Sequence, residues 1–129
     1  MMKKRILVAD DEASVVKIIK DRFAKWGYEI ETASDGEETL EKVESFMPHL
    51  LLLDLKMPKI NGIEILERTK KKYPQIGILI LTASQSKSTF RTCLEKGADG
   101  YMLKPFKPEN IKEYVEKILK TTEMGSTHD

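Results

Sequence analysis

The chain has 129 residues, 40% hydrophobic and 33% charged, which suits one compact domain with a buried core and excludes a disordered chain. Its 22 basic and 21 acidic side chains leave a formal net charge of +1, so bulk charge supports no sequence-independent grip on nucleic acid. The lone Cys93 rules out an intramolecular disulfide, and the short apolar run Ile6 to Ala9 is too brief for a signal peptide or a membrane span, so the chain reads as soluble and cytoplasmic.

Apolar runs of strand length stand at Ile6 to Ala9, Tyr28 to Ala33, Leu50 to Leu53, Ile78 to Leu81 and Tyr101 to Leu103. Helix-period stretches lie between them. Five strands therefore alternate with five helices. The first run ends in Asp10-Asp11-Glu12. On the helix that follows, Val16, Ile19, Phe23 and Trp26 form one stripe, with Val15 and Ile18 beside it and partly exposed. Asp35-Gly36 precedes the second helix and Asn61-Gly62 the third, where Asp35 and Asn61 read as caps. His49, before the third run, reads as a surface variation without a second ligand. The third and fourth runs lack polar alternation, as strands covered on both faces of a parallel sheet do. Lys70-Lys71-Lys72 reads as the solvated, dipole-favoured end of the third helix. Cys93 reads as an inert small hydrophobe of the fourth. Ile111, Tyr114, Val115, Ile118 and Leu119 make one buried stripe on the last helix. After Lys120 the period is lost, and residues 121–129 read as a polar tail or the start of a linker. The expected fold is a doubly wound α/β domain.

No glycine-rich nucleotide-binding motif occurs. In open parallel sheets the ligand crevice lies at the carboxyl ends of the strands. There the sequence places Asp10 and Asp11, Asp54, Thr82-Ala83-Ser84 and Lys104-Pro105. Convergent carboxylates repel unless a proton or cation intervenes. Mg²⁺ takes one or two carboxylates and completes its shell with water and phosphate oxygens. Lys104 and Thr82 add an ammonium and a hydroxyl, so the rim reads as a phosphoryl pocket. Asp54 is the candidate nucleophile, because a carboxylate attacks phosphorus to form an aspartyl phosphate.

Four motifs at these separations carry a resemblance over roughly Lys4 to Leu119. They are Asp10-Asp11, Asp54 through Pro58 followed by Asn61-Gly62, Thr82-Ala83, and Lys104-Pro105-Phe106. Together they resemble the receiver domain of bacterial two-component response regulators. The resemblance implies a five-stranded parallel sheet in the order 2-1-3-4-5 with five helices, over residues 1–120. It implies Asp54 as phosphoacceptor, Asp11 as a direct Mg²⁺ ligand, Asp10 as its helper through water and the Lys56 backbone carbonyl as a further ligand. Lys104 would pair with the phosphoryl group and Thr82 would hydrogen-bond to it. Tyr101 would be the switch aromatic, and the Lys104-Pro105 bond would be cis. Lys56 and Ser84 would tune the phosphoryl lifetime, and Val15, Ile18 and Phe106 would dock the phosphoryl donor.

The expected role is a signalling switch, not an enzyme acting on a separate metabolite. Its donor would be a sensor histidine kinase or histidine phosphotransfer protein, and its target a downstream protein or output domain. Direct nucleic-acid or membrane binding is not expected. The state would be monomeric or a phosphorylation-dependent dimer. Two alternatives remain from the residues. One is a phosphate-independent interaction module of receiver fold. The other is a haloacid-dehalogenase-type phosphohydrolase, whose nucleophile loop carries a second aspartate where this chain has Lys56.

Overall fold

The computed structural model describes residues 3–127. The elements are β1 (Arg5–Ala9), α1 (Ala13–Lys25), β2 (Glu29–Ala33), α2 (Gly36–Phe46), β3 (Leu50–Asp54), α3 (Gly62–Lys72), β4 (Gly77–Thr82), α4 (Lys87–Glu95), β5 (Gly100–Leu103) and α5 (Pro108–Thr127). All five strands are parallel and ordered β2-β1-β3-β4-β5. The expected doubly wound fold and strand order are both present.

Every residue of β3 and β4 is buried, because alternate side chains enter two different cores. Leu50 and Leu52 join Ile19, Phe23, Ile111 and Val115 on one face of the sheet. Leu51 and Leu53 join Val43, Ile65, Leu66 and Cys93 on the other. A continuous apolar run is what a strand with two covered faces requires. β2 lies at the sheet edge and keeps Glu29 and Glu31 exposed, charges that discourage further strand pairing. Tyr28 does not begin β2. Its N–H instead donates to the Phe23 carbonyl at 3.1 Å, just after Gly27 takes φ 94°.

Asp35 accepts from the Glu38 N–H at 2.8 Å and Asn61 from the Glu64 N–H at 3.0 Å, so both are the caps expected of them. Two expectations are corrected. His49 is half-buried, and its Nδ1 accepts the Arg5 N–H at 2.9 Å, tying the start of β3 to β1 rather than serving as surface variation. On α5, Ile111, Val115, Ile118 and Leu119 are buried, but Tyr114 is 43% exposed. The same helix runs on to Thr127, through most of the stretch expected as a polar tail or the start of a linker, and no proline interrupts it. Residues 128 and 129 of that tail lie outside the described residues.

Candidate functional site

The strand order reverses between β1 and β3, and the crevice opens at their carboxyl ends. Ala9 pairs with Leu53, so the next step of each strand brings Asp10 beside Asp54. Asp54 in turn pairs with Leu81, and Thr82 with Leu103, which sets Thr82 and Lys104 one step further along the same rim. The Lys104 N–H donates to the Thr82 carbonyl at 2.8 Å and holds the two turns together. The Lys104-Pro105 peptide is cis, as expected.

Lys104 is the centre of this rim. Its Nζ lies 2.8 Å from Asp10 Oδ2, 3.0 Å from Glu12 Oε1 and 3.4 Å from Asp54 Oδ2. Burial works against its charge, yet hydrogen bonds to Asp10 and Glu12 and the charges of Asp10 and Asp54 hold its pKa above the ordinary lysine value. Asp10 and Asp54 are both buried. Burial raises the Asp54 pKa; the Lys56 N–H, donating to Oδ1 at 3.2 Å, pulls it down, the Asp10 charge pushes it up and Lys104 pulls it down, with a net shift upward. Two like charges are thus held in a poorly solvated place with one ammonium between them.

Among the described residues, the acids that converge are Asp10, Glu12 and Asp54, whose carboxylate oxygens fall within 4.8 Å of one another. Hard oxygen donors of this kind suit a divalent cation such as Mg²⁺. Asp11 is exposed and is not one of these three; with Asp10 it lines a cleft that runs past Lys17, Lys20 and Asp21 along α1. The Asp10 carboxylate turns inward and accepts the Glu12 N–H at 2.9 Å. That turn brings Glu12, not Asp11, over Lys104. Sequence reasoning missed Glu12, although the run Asp10-Asp11-Glu12 contained the signal.

The remaining predicted positions surround the cluster. Thr82 is buried, and its hydroxyl accepts the Ser84 N–H at 3.1 Å. Tyr101 is half-buried. Its hydroxyl donates to the Ser84 carbonyl at 3.3 Å and its ring meets Phe90 edge-on at 5.0 Å. The Lys56 side chain is exposed, and its backbone follows Asp54 by two residues. Val15, Ile18 and Phe106 line one groove of about 420 Å³ together with Glu12 and Lys104. Ile18 is 51% exposed, whereas Val15 is half-buried.

Residues 6–116 match the family model of the response regulator receiver domain. The chain belongs to the response regulator receiver family. Its receiver domain is 41% identical over 125 residues to the alkaline phosphatase synthesis transcriptional regulatory protein PhoP of Bacillus subtilis, covering 97% of this chain and 52% of that protein. The chain thus spans about half the length of the curated relatives it matches. Among solved structures, a CheY-like receiver domain protein of Methanospirillum hungatei superposes with a TM-score of 0.93 at 32% identity, covering 96% of this chain and 99% of that one. The chemotaxis regulator CheY4 of Vibrio cholerae superposes at 0.84 with 28% identity, covering 91% and 99%. Receiver domains are the signalling modules of two-component systems, which work with histidine kinases, and they bind Mg²⁺ at an acidic cluster. That membership displaces the phosphohydrolase reading. Among the described residues no helix is long and apolar enough to cross a membrane.

Proposed function

We propose that this receiver accepts a phosphoryl group on Asp54 from a phosphohistidine and thereby changes the surface it offers to a protein partner. The observation that carries the reading is the convergence of buried Asp54 and Asp10 on the Lys104 ammonium at the strand-order reversal. An Asp54 carboxylate oxygen attacks phosphorus, the phosphorus–nitrogen bond breaks, and the imidazole leaves with the electron pair and takes up a proton. Lys104 offsets the charge on the transferred oxygens, and the Thr82 hydroxyl donates to one of them once it turns from Ser84. Little else is needed for a loose phosphoryl transition state beyond position and charge.

The donors present fit Mg²⁺. Asp11, Asp54 and the Lys56 carbonyl would hold it, with Asp10 as the helper through water. Mg²⁺ supplies charge neutralisation between the Asp54 carboxylate and the phosphoryl oxygens.

Thr82 and Tyr101 both contact Ser84, so movement of the Thr82 hydroxyl toward a phosphoryl group releases the segment that Tyr101 holds. Tyr101 is the switch aromatic of this reading. Lys56 and Ser84 flank the path of a hydrolytic water and tune the lifetime of the phosphoryl group. The groove of Val15, Ile18 and Phe106 supports docking of the donor, a sensor histidine kinase or phosphotransfer protein. The near-neutral charge supports a protein target over nucleic acid. The receiver unit spans residues 1–120, and it acts on its own phosphoryl group, not on a metabolite.

The test is intact mass after incubation with a small acyl phosphate and Mg²⁺. One added phosphoryl group, absent from Asp54→Ala and from a chelator control, is the expected result. No addition, together with no binding of Mg²⁺ or beryllofluoride, would leave a phosphate-independent interaction module.

A further inference from the structure

Lys104 carries three N–H donors, and each has a carboxylate within reach: Asp10, Glu12 and Asp54. A phosphoryl oxygen arriving at Asp54 must compete for this ammonium with the carboxylates already on it. Asp10 and Asp54 are poor candidates to move, with side chains 2% and 6% exposed, whereas the Glu12 side chain is 57% exposed. Glu12 is also the residue preceding the first turn of α1, yet its side chain makes no capping hydrogen bond there. Its carboxylate is therefore not tied to the helix backbone, and among the described residues its ion pair is with Lys104. That same carboxylate lies within 4.8 Å of the Asp10 and Asp54 oxygens, so it repels an arriving anion as well as competing for the lysine.

We propose that Glu12 is a positioning residue that occupies Lys104 in the resting state and competes with the phosphoryl group for it. The inference rests on the assignment of Asp54 as phosphoacceptor. Glu12 sets how readily the site accepts a phosphoryl group. Neutralising it frees one donor of Lys104 and removes one repelling charge, while Asp10 continues to hold the lysine in place.

The experiment compares wild type, Glu12→Gln and Glu12→Ala for binding of beryllofluoride at saturating Mg²⁺, read by ¹⁹F NMR, with thermal melting of each protein beside it. Both variants are expected to bind roughly 2- to 5-fold more tightly than wild type at low salt, the range of an exposed charge pair. The gain should narrow toward 1 M salt, where the screening length falls to about 3 Å. A structural role for Glu12 would move the melting temperature and would not produce that salt dependence. Equal or weaker binding by both variants, with wild type binding normally, would overturn the role of Glu12 alone. Wild type that binds no beryllofluoride would overturn the Asp54 assignment and this inference with it.

Discussion

Gly36 lies against Ile60 so closely that a Cβ on Gly36 would clash with the Ile60 carbonyl oxygen. The Gly36 N–H also donates to the Pro58 carbonyl at 3.0 Å, so the first turn of α2 clamps the loop that leaves Asp54. Gly36→Ala must push backbone against backbone, which costs about 1 to 3 kcal/mol. A lower urea midpoint is expected, and weaker Mg²⁺ binding with it, because Lys56 sits in the clamped loop. An unchanged midpoint would show that the loop yields freely.

Asp35 caps α2 beside that clamp. The Glu38 N–H is the largest influence on its pKa and lowers it; burial opposes, and Lys59 lowers it further, leaving it below 3.8. A carboxyl whose pKa is depressed by folding stabilises the protein above its unfolded value and loses that contribution as pH falls through the folded one. Asp35→Ala should therefore melt several degrees below wild type at pH 7. The gap should close below about pH 4. A gap that persists unchanged at pH 2.5 would place the effect elsewhere.

Burial and the neighbouring Asp10 charge make ionised Asp54 costly when no cation is bound. Asp54→Asn keeps an acceptor for the Lys56 N–H and leaves Lys104 to Asp10 and Glu12. Without metal it should be more stable than wild type, because a buried carboxylate beside a like charge is replaced by a neutral amide. Addition of Mg²⁺ at ten times its dissociation constant should raise wild type by about 1.4 kcal/mol and the variant by much less. Melting curves with and without Mg²⁺ decide this. A metal-free variant less stable than wild type would contradict the charge assignment.

Away from the site, Asp99 Oδ2 accepts both the Ile78 N–H at 2.8 Å and Lys70 Nζ at 2.7 Å. Lys70 is only 15% exposed, so it is not part of a freely solvated lysine run. Asp99→Ala leaves a β4 N–H and a half-buried ammonium without this acceptor, at a cost of about 2 kcal/mol. Hydrogen exchange at Ile78 should accelerate with the fall in stability. Unchanged protection there would show that another acceptor takes over.

Much of this was legible in the residues. The runs of β3 and β4 announced strands with two covered faces, and the two cores divide their leucines and isoleucines by alternation. Asp35 and Asn61 are the caps their positions suggested. The length of α5, by contrast, was hidden, because amphipathic period reports which face is buried and not where the backbone stops being helical. The tie between His49 and Arg5 was hidden as well, since it joins residues 44 apart in the chain.

The sequence by itself determined the alternation of strands and helices and the gathering of Asp10, Asp54, Thr82 and Lys104 at one rim. Strand ends in a parallel sheet necessarily share an edge. Only the tertiary structure decided that Glu12 joins Asp10 at Lys104. By charge alone Asp11 is as good a candidate as Glu12. The turn from β1 into α1, fixed by the bond from the Glu12 N–H to Asp10, sends Asp11 outward and brings Glu12 over the lysine. Side-chain direction in such a turn follows from the path the backbone takes between strand and helix, which the identities of the three acids do not record.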